Sequence, residues 1–248
     1  MADLGCLILV ATSLDYYLVD YIMMEANVYG SLIASIVIQV MTGIIGIITT
    51  FIKLPSQFLL LKQLMLLETF VQIIEGLFYT FWLLNFKKIT NITPMRYIDW
   101  AITTPTMLIN LVFYLIYLTY SDGGGAEDLS FVDLFHKEYS TILIIVLLNW
   151  MMLLFGYLGE TSVIPVLVGV FAGFIPFLLY YYIIYNKYAT LSDTGFKMYV
   201  YFFIFWSLYG IVALLPYSVK TVGYNILDVF SKNFFGLFLS YLIITAAV

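Results

Sequence analysis

The sequence predicts an all-α membrane protein: a seven-transmembrane-helix bundle with an additional N-terminal apolar helix. Three observations carry that prediction. Of 248 residues, 63% are hydrophobic and 10% charged, with a mean hydropathy of +1.03, more apolar surface than one soluble core could bury. Seven segments reach the roughly 20 residues that a bilayer core demands, and the breaks between them carry proline, asparagine, glycine and charge. The few ionisable residues inside the segments recur at helical spacings, as an interior-facing stripe does.

The elements follow in order. Residues 1–26 are apolar from Leu4 to Met24 but are interrupted by Asp15 and Asp20, and no lysine or arginine precedes them as a signal peptide requires. They are read as a separate N-terminal interfacial or capping segment over one mouth of the bundle, with an eighth span as the alternative. The seven-helix domain then occupies 27–248. Its first span is expected at 28–51, ending before Lys53 and Pro55, and its second at 57–84, before Lys87, Lys88 and Asn91. The third covers 95–120, and SDGGGAEDLS after it reads as a flexible acidic connection. Spans at 139–158, 163–185, 196–215 and 221–248 complete the count.

Composition also removes function classes. Cys6 is the only cysteine, so an internal disulfide and a cysteine-based metal site are excluded. His136, the only histidine, falls in a polar loop beside Lys137 and Glu138, which excludes a hydrolytic triad or a histidine-based zinc site. No enzyme, metal or nucleic-acid partner is expected, because the net charge of -5 comes largely from termini and loops. Loop charge leaves orientation open: Lys53, Lys62, Lys137, Lys187 and Lys197 on one side nearly balance Lys87, Lys88, Arg96 and Lys220 on the other.

The last span holds the chemistry. Lys232 is the only lysine at the centre of a spanning segment, and Asp228 precedes it by one helical turn. A charge at that depth costs roughly 2.5 to 3.5 kcal/mol, so it needs a partner or a purpose. The plain reading is an ion pair between two helices. The chemical one is a Schiff-base lysine, an amine that condenses with an aldehyde and keeps a carboxylate as counterion.

The third span carries RYIDWAITTP from Arg96 to Pro105. Arg96 and Asp99 lie one turn apart, Thr103 follows at the next, and Asn110 continues the same face. This string closely resembles the third helix of microbial rhodopsins, and DVFSK from Asp228 to Lys232 resembles their retinal-binding seventh helix. The resemblance implies a domain that binds all-trans retinal through Lys232, with Asp99 and Asp228 as counterion and Arg96 beside them. It also implies a pocket lined by Trp100, Thr103 and Thr104 on the third helix, Asn149, Met152 and Gly156 on the fourth, and Trp206 and Tyr209 on the sixth. Gly210 departs from the family, many of whose members have proline there, which leaves the bend of the sixth helix open.

Transport mode is read from two further features. An outward proton pump resembling bacteriorhodopsin has a carboxylic donor where this chain has Asn110 and an acidic release group where it has Lys220, and 216–223 contains no acid. The second span instead carries Glu68, Gln72, Glu75 and Tyr79 on one stripe, answered on the first span by Ser31, Ser35, Gln39 and Thr42. Hydrogen bonding between helices is the plain account of such a stripe; the wall of an ion path is the other. The constellation resembles the group-one viral rhodopsins, light-gated cation channels. The resemblance implies that Ser35, Glu68 and Asn233 meet at a central constriction, with Gln72 and Glu75 further along the path. A light-gated cation channel in the host's cell membrane, passing monovalent cations, is therefore expected. An outward proton pump is the alternative and a partner-coupled photosensor a third reading, with oligomeric state open.

Overall fold

The computed structural model describes residues 2–122 and 129–247, with side chains over 23–121 and 129–247. Helix α1 runs Ala2–Thr50, α2 Leu59–Leu84, α3 Thr93–Asp122, α4 Phe131–Glu160, α5 Val166–Lys187 and α6 Asp193–Val212. The last rod begins as α7, Tyr217–Asp228, passes through a π-helical stretch at Val229–Asn233 and continues as α8, Phe234–Ala246. Among the described residues there is no strand, and seven helical rods are long and apolar enough to cross a membrane. The chain is thus a multi-pass integral membrane protein. The reading of 1–26 falls largely on side chains outside the described residues, and most of the acidic connection, 123–128, lies outside them too.

Several boundaries differ from expectation for local reasons. Helix α4 starts eight residues before the expected 139, because Ser130 caps it by accepting from the Asp133 N–H at 3.2 Å. His136, Lys137 and Glu138 therefore lie on the exposed first turns of a helix and not in a loop. Residues 217–220, expected between spans, are helical because Pro216 precedes the first turn, where its missing N–H costs nothing. Ser192 caps α6 in the same way as Ser130 caps α4, accepting from the Gly195 N–H.

Packing places the polar residues inside and leaves the outer face apolar, with Ile48, Leu77, Ile98, Phe171 and Tyr241 all exposed as lipid contact requires. Pro105 inside α3 cannot bond the Ala101 carbonyl, and the Trp150 indole N–H of α4 donates to that oxygen at 2.9 Å instead. Close crossing of α4 and α5 depends on small residues: a Cβ on Gly169 would stand 2.7 Å from the Phe155 carbonyl oxygen and 2.9 Å from Gly159 Cα. Helix α6 runs unbroken through Gly210, where the space a side chain would take is filled by Phe174, whose ring carbon would lie 2.6 Å from such a Cβ.

Candidate functional site

Lys232 sits in the π-helical stretch, where the Phe234 N–H bonds the Val229 carbonyl five residues back and widens the turn. Its amine is buried and donates to Asp99 Oδ2 at 2.8 Å, with Glu75 Oε1 at 3.4 Å and Asp228 Oδ1 at 3.7 Å. Glu75 was expected on the ion path; the structure brings it to the amine as a third carboxylate. Arg96 pairs with Asp228 Oδ2 at 3.3 Å and donates to Asn225 Oδ1 at 2.8 Å. Counted formally, three carboxylates face two cations, Lys232 and Arg96, leaving one negative charge in excess.

The carboxylates differ in how firmly they are held. Asp228 accepts from Tyr209 and Tyr79 hydroxyls, both at 2.7 Å, and from Arg96. Asp99 accepts only from Lys232, and its Oδ1 has no partner among the described residues. Asp228 is held by three donors, whereas Asp99 keeps an oxygen free and is the nearest acceptor to Lys232 Nζ.

Beside the amine lies a largely apolar cavity between α3, α4, α5 and α6. Trp100, Thr104, Met152, Gly156, Trp206 and Tyr209 line it as expected, and Lys232 closes one end. Thr103 and Asn149 do not line it. Thr103 turns its hydroxyl back to the Asp99 carbonyl at 2.9 Å, and Asn149 stands behind Thr104, accepting from it at 2.8 Å. The wall from α5, formed by Gly169, Gly173, Phe174 and Phe177, was not foreseen. Trp100 is gripped edge-on by Tyr97, Tyr209 and Tyr224 at 5.0 to 5.3 Å. An apolar cavity with aromatic walls, lined also by a buried amine that has a carboxylate within 3 Å, fits a polyene aldehyde such as retinal.

On the other side of Lys232 the expected stripe is buried: Glu68, Gln72, Glu75 and Tyr79 are all at most 4% exposed, facing Ser35, Gln39 and Thr42 of α1 at 5% or less. Ser35, Glu68 and Asn233 make no hydrogen bond to one another. The Ser35 hydroxyl donates to the Asn225 carbonyl at 3.2 Å, Asn233 donates to Thr42 at 2.8 Å, and Glu68 accepts from Asn110 at 3.1 Å. The three occupy successive levels of one polar column. Asn225, missed in the sequence, joins the column to the charged centre through Ser31, Ser35, Tyr79 and Arg96. No motif signals it, since it lies one turn before Asp228 in an unremarkable stretch.

Asn110 and Lys220 occupy the two pump positions as expected, but the structure brings an acid beside each. Glu68 meets Asn110 from α2. Glu160, at the end of α4, pairs with Lys220 at 2.7 Å and accepts from Tyr97 and Tyr224 at 2.9 and 2.6 Å. Each acid comes from another helix than the position it serves, so reading one span at a time could not find it.

Comparison with known proteins agrees with this geometry. A family model described as Bacteriorhodopsin-like protein matches residues 29–246. The solved structure of viral rhodopsin OLPVRII is 28% identical, with a TM-score of 0.73 over 88% of this chain and 98% of that one. Bromide-bound halorhodopsin from Halobacterium salinarum is 15% identical, with a TM-score of 0.71 over 91% and 97% of the two chains. Xanthorhodopsin, described as a light-driven ion pump with dual chromophore, is 17% identical, with a TM-score of 0.68 over 90% and 94%. The last two likenesses concern the fold alone. No curated protein matches the sequence.

Proposed function

The chain belongs to the bacteriorhodopsin-like family of retinal photoreceptors and ion transporters, and from that premise we propose that it is a light-gated cation channel carrying all-trans retinal on Lys232. Bound there, retinal supplies light-driven isomerisation about one double bond. The protein's own groups do the rest. Trp100, Trp206 and Tyr209 confine the cavity, Asp99 takes a proton from Lys232 Nζ, and Asp228 is held in place by Arg96, Tyr79 and Tyr209.

One observation carries the channel reading. Gln39, Glu68, Gln72, Asn110 and Asn233 are buried around the column, and each keeps at least one polar side-chain atom without a protein partner. Such spare oxygens and amides can replace part of the hydration shell of a passing cation. Acidic and neutral oxygens also favour cations over anions. The host's cell membrane is the proposed location.

Outward proton pumping is the second reading, and it rests on the two acids brought from other helices: Glu68 beside Asn110 and Glu160 beside Lys220. Photocurrents recorded at several voltages, with sodium or potassium exchanged for a large impermeant cation at constant pH, separate the two. A current that reverses with the cation gradient supports the channel. One that stays outward at every voltage and ignores the exchange overturns it in favour of the pump. In the channel, Glu68→Gln shifts the reversal potential or shrinks the current while leaving the visible band nearly in place.

A further inference from the structure

The polar stripe of α2 is interrupted at its middle. Gln72 stands between Glu75, which faces the Lys232 amine, and Glu68, which holds Asn110. Its carboxamide is 4% exposed, lies beside the Glu68 carboxylate, and finds no hydrogen-bond partner on another helix among the described residues. What surrounds it is a socket of glycines from two other helices. A Cβ added to Gly43 or Gly46 of α1 would lie 3.8 or 3.7 Å from Gln72 Oε1. One added to Gly236 of α8 would collide with Gln72 Nε2 and stand 3.2 Å from Gln72 Cδ and 3.4 Å from Glu68 Cγ. Gln72 and Glu68 thus both pass over Gly236, and the Gln72 amide rests on its backbone where any side chain would exclude it.

Gly236 lies four residues beyond Lys232, one turn along the same rod. A buried amide that is sterically seated but has no hydrogen-bond partner on a neighbouring helix is loosely held, because a shift that gives it such partners is favoured. Gly236 and Lys232 belong to one helical rod, so a displacement at Lys232 reaches the amide resting on Gly236 and, through it, the adjoining Glu68. We propose that Gln72 is a latch closed against Gly236, through which movement of the Lys232 helix is passed to Glu68, so that the Glu68 end of the path responds only after Lys232 has moved. This deepens the channel reading and rests on it for its purpose, though not for its test.

Two measurements test the latch. Light-induced infrared difference spectra show a carboxyl band of Glu68, assigned by its absence in Glu68→Gln, and a second from Asp99, assigned through Asp99→Asn. In Gln72→Ala, which only removes atoms, the Glu68 band is lost while the Asp99 band and the visible absorption remain. Melting of the retinal-free protein tests the seat without light: Gly236→Ala lowers Tm, and Gln72→Ala introduced with it restores most of the loss, since the colliding amide is gone. A Glu68 band of undiminished amplitude in Gln72→Ala overturns the latch, and so does a Gly236→Ala defect that Gln72→Ala fails to relieve. Wild-type current that is outward at every voltage overturns the channel reading alone, because the Glu68 band still decides the latch in a pump.

Discussion

The inward face of α2 has two halves that are equally buried and chemically opposite. Leu60, Leu61, Leu64 and Met65 are at most 2% exposed, and Glu68, Gln72, Glu75 and Tyr79 at most 4%. The first four join the same close-packed cluster as Leu111, Phe235, Leu239 and Ile243. Of the second four, Glu68, Glu75 and Tyr79 meet Lys232, Arg96, Asn110, Asn225 and Asp228. Depth in the bundle therefore does not make a path. A path exists where buried side chains are polar, where neighbouring helices supply charge, and where some polar atoms are left unpaired for a passing ion or water. In the proposed channel, the apolar half is the seal against which the polar half works.

The largest blow to this contrast is Lys232→Ala. It removes the only amine in the cavity, so protein mixed with all-trans retinal gains no visible band. It also leaves Asp99 and Glu75 without their nearest cation and Asp228 with Arg96 alone, and breaking such a buried pair costs about 3 to 5 kcal/mol. The retinal-free variant should melt well below the parent. A retinal-dependent band of parental strength in Lys232→Ala would place the attachment elsewhere.

Next in size is Asp99→Asn. Asp228 is held by Tyr79, Tyr209 and Arg96, while Asp99 faces only Lys232. Neutralising Asp99 therefore takes away the charge closest to the amine, which stabilises the ground-state cation more than the excited state, and the absorption of the retinal-loaded protein should move to the red. An unchanged spectrum at neutral pH would transfer the counterion role to Asp228 or Glu75.

What the sequence made legible was whatever lies within one helix. Seven apolar lengths, the turn from Arg96 to Asp99, the turn from Asp228 to Lys232 and the stripe from Glu68 to Tyr79 are intrahelical spacings, and helix geometry fixes which of those residues share a face. The contacts that redirect the site run between helices. Glu75 reaching Lys232, Glu160 reaching Lys220, Asn225 joining four partners and Trp150 serving the carbonyl freed by Pro105 depend on rotation and crossing that spacing does not encode. Thr103 and Asn149 failed as cavity residues for the same reason: their turn of helix was right, and their side chains bond elsewhere.

The border between the two halves can be moved. Leu64 is fully buried one turn before Glu68 and packs among apolar side chains. Leu64→Gln carries the polar stripe one turn further into the seal, where a buried amide without partners costs about 1 to 3 kcal/mol. Lower thermal stability is expected, together with a several-fold greater passive cation leak in the dark, read in dye-loaded vesicles. A variant that is destabilised yet as tight as the parent would show that the seal lies elsewhere.

Ser35→Ala is the mildest probe and tests how finely the polar half is divided. The Ser35 hydroxyl makes one hydrogen bond, to the Asn225 carbonyl at 3.2 Å, and none to Glu68 or Asn233. A single contact of this kind inside a membrane bundle contributes about 0.6 kcal/mol, so folding and the visible band should be almost untouched. Because Asn225 also accepts from Tyr79 and Arg96 and donates to Ser31, loss of the Ser35 bond leaves it anchored. The photocurrent should then change by less than in Glu68→Gln, and the reversal potential should stay in place. If instead Ser35→Ala equals Glu68→Gln in its effect on ion selectivity, the two side chains act at one constriction in the conducting state, and the separate levels they occupy here belong to the closed protein.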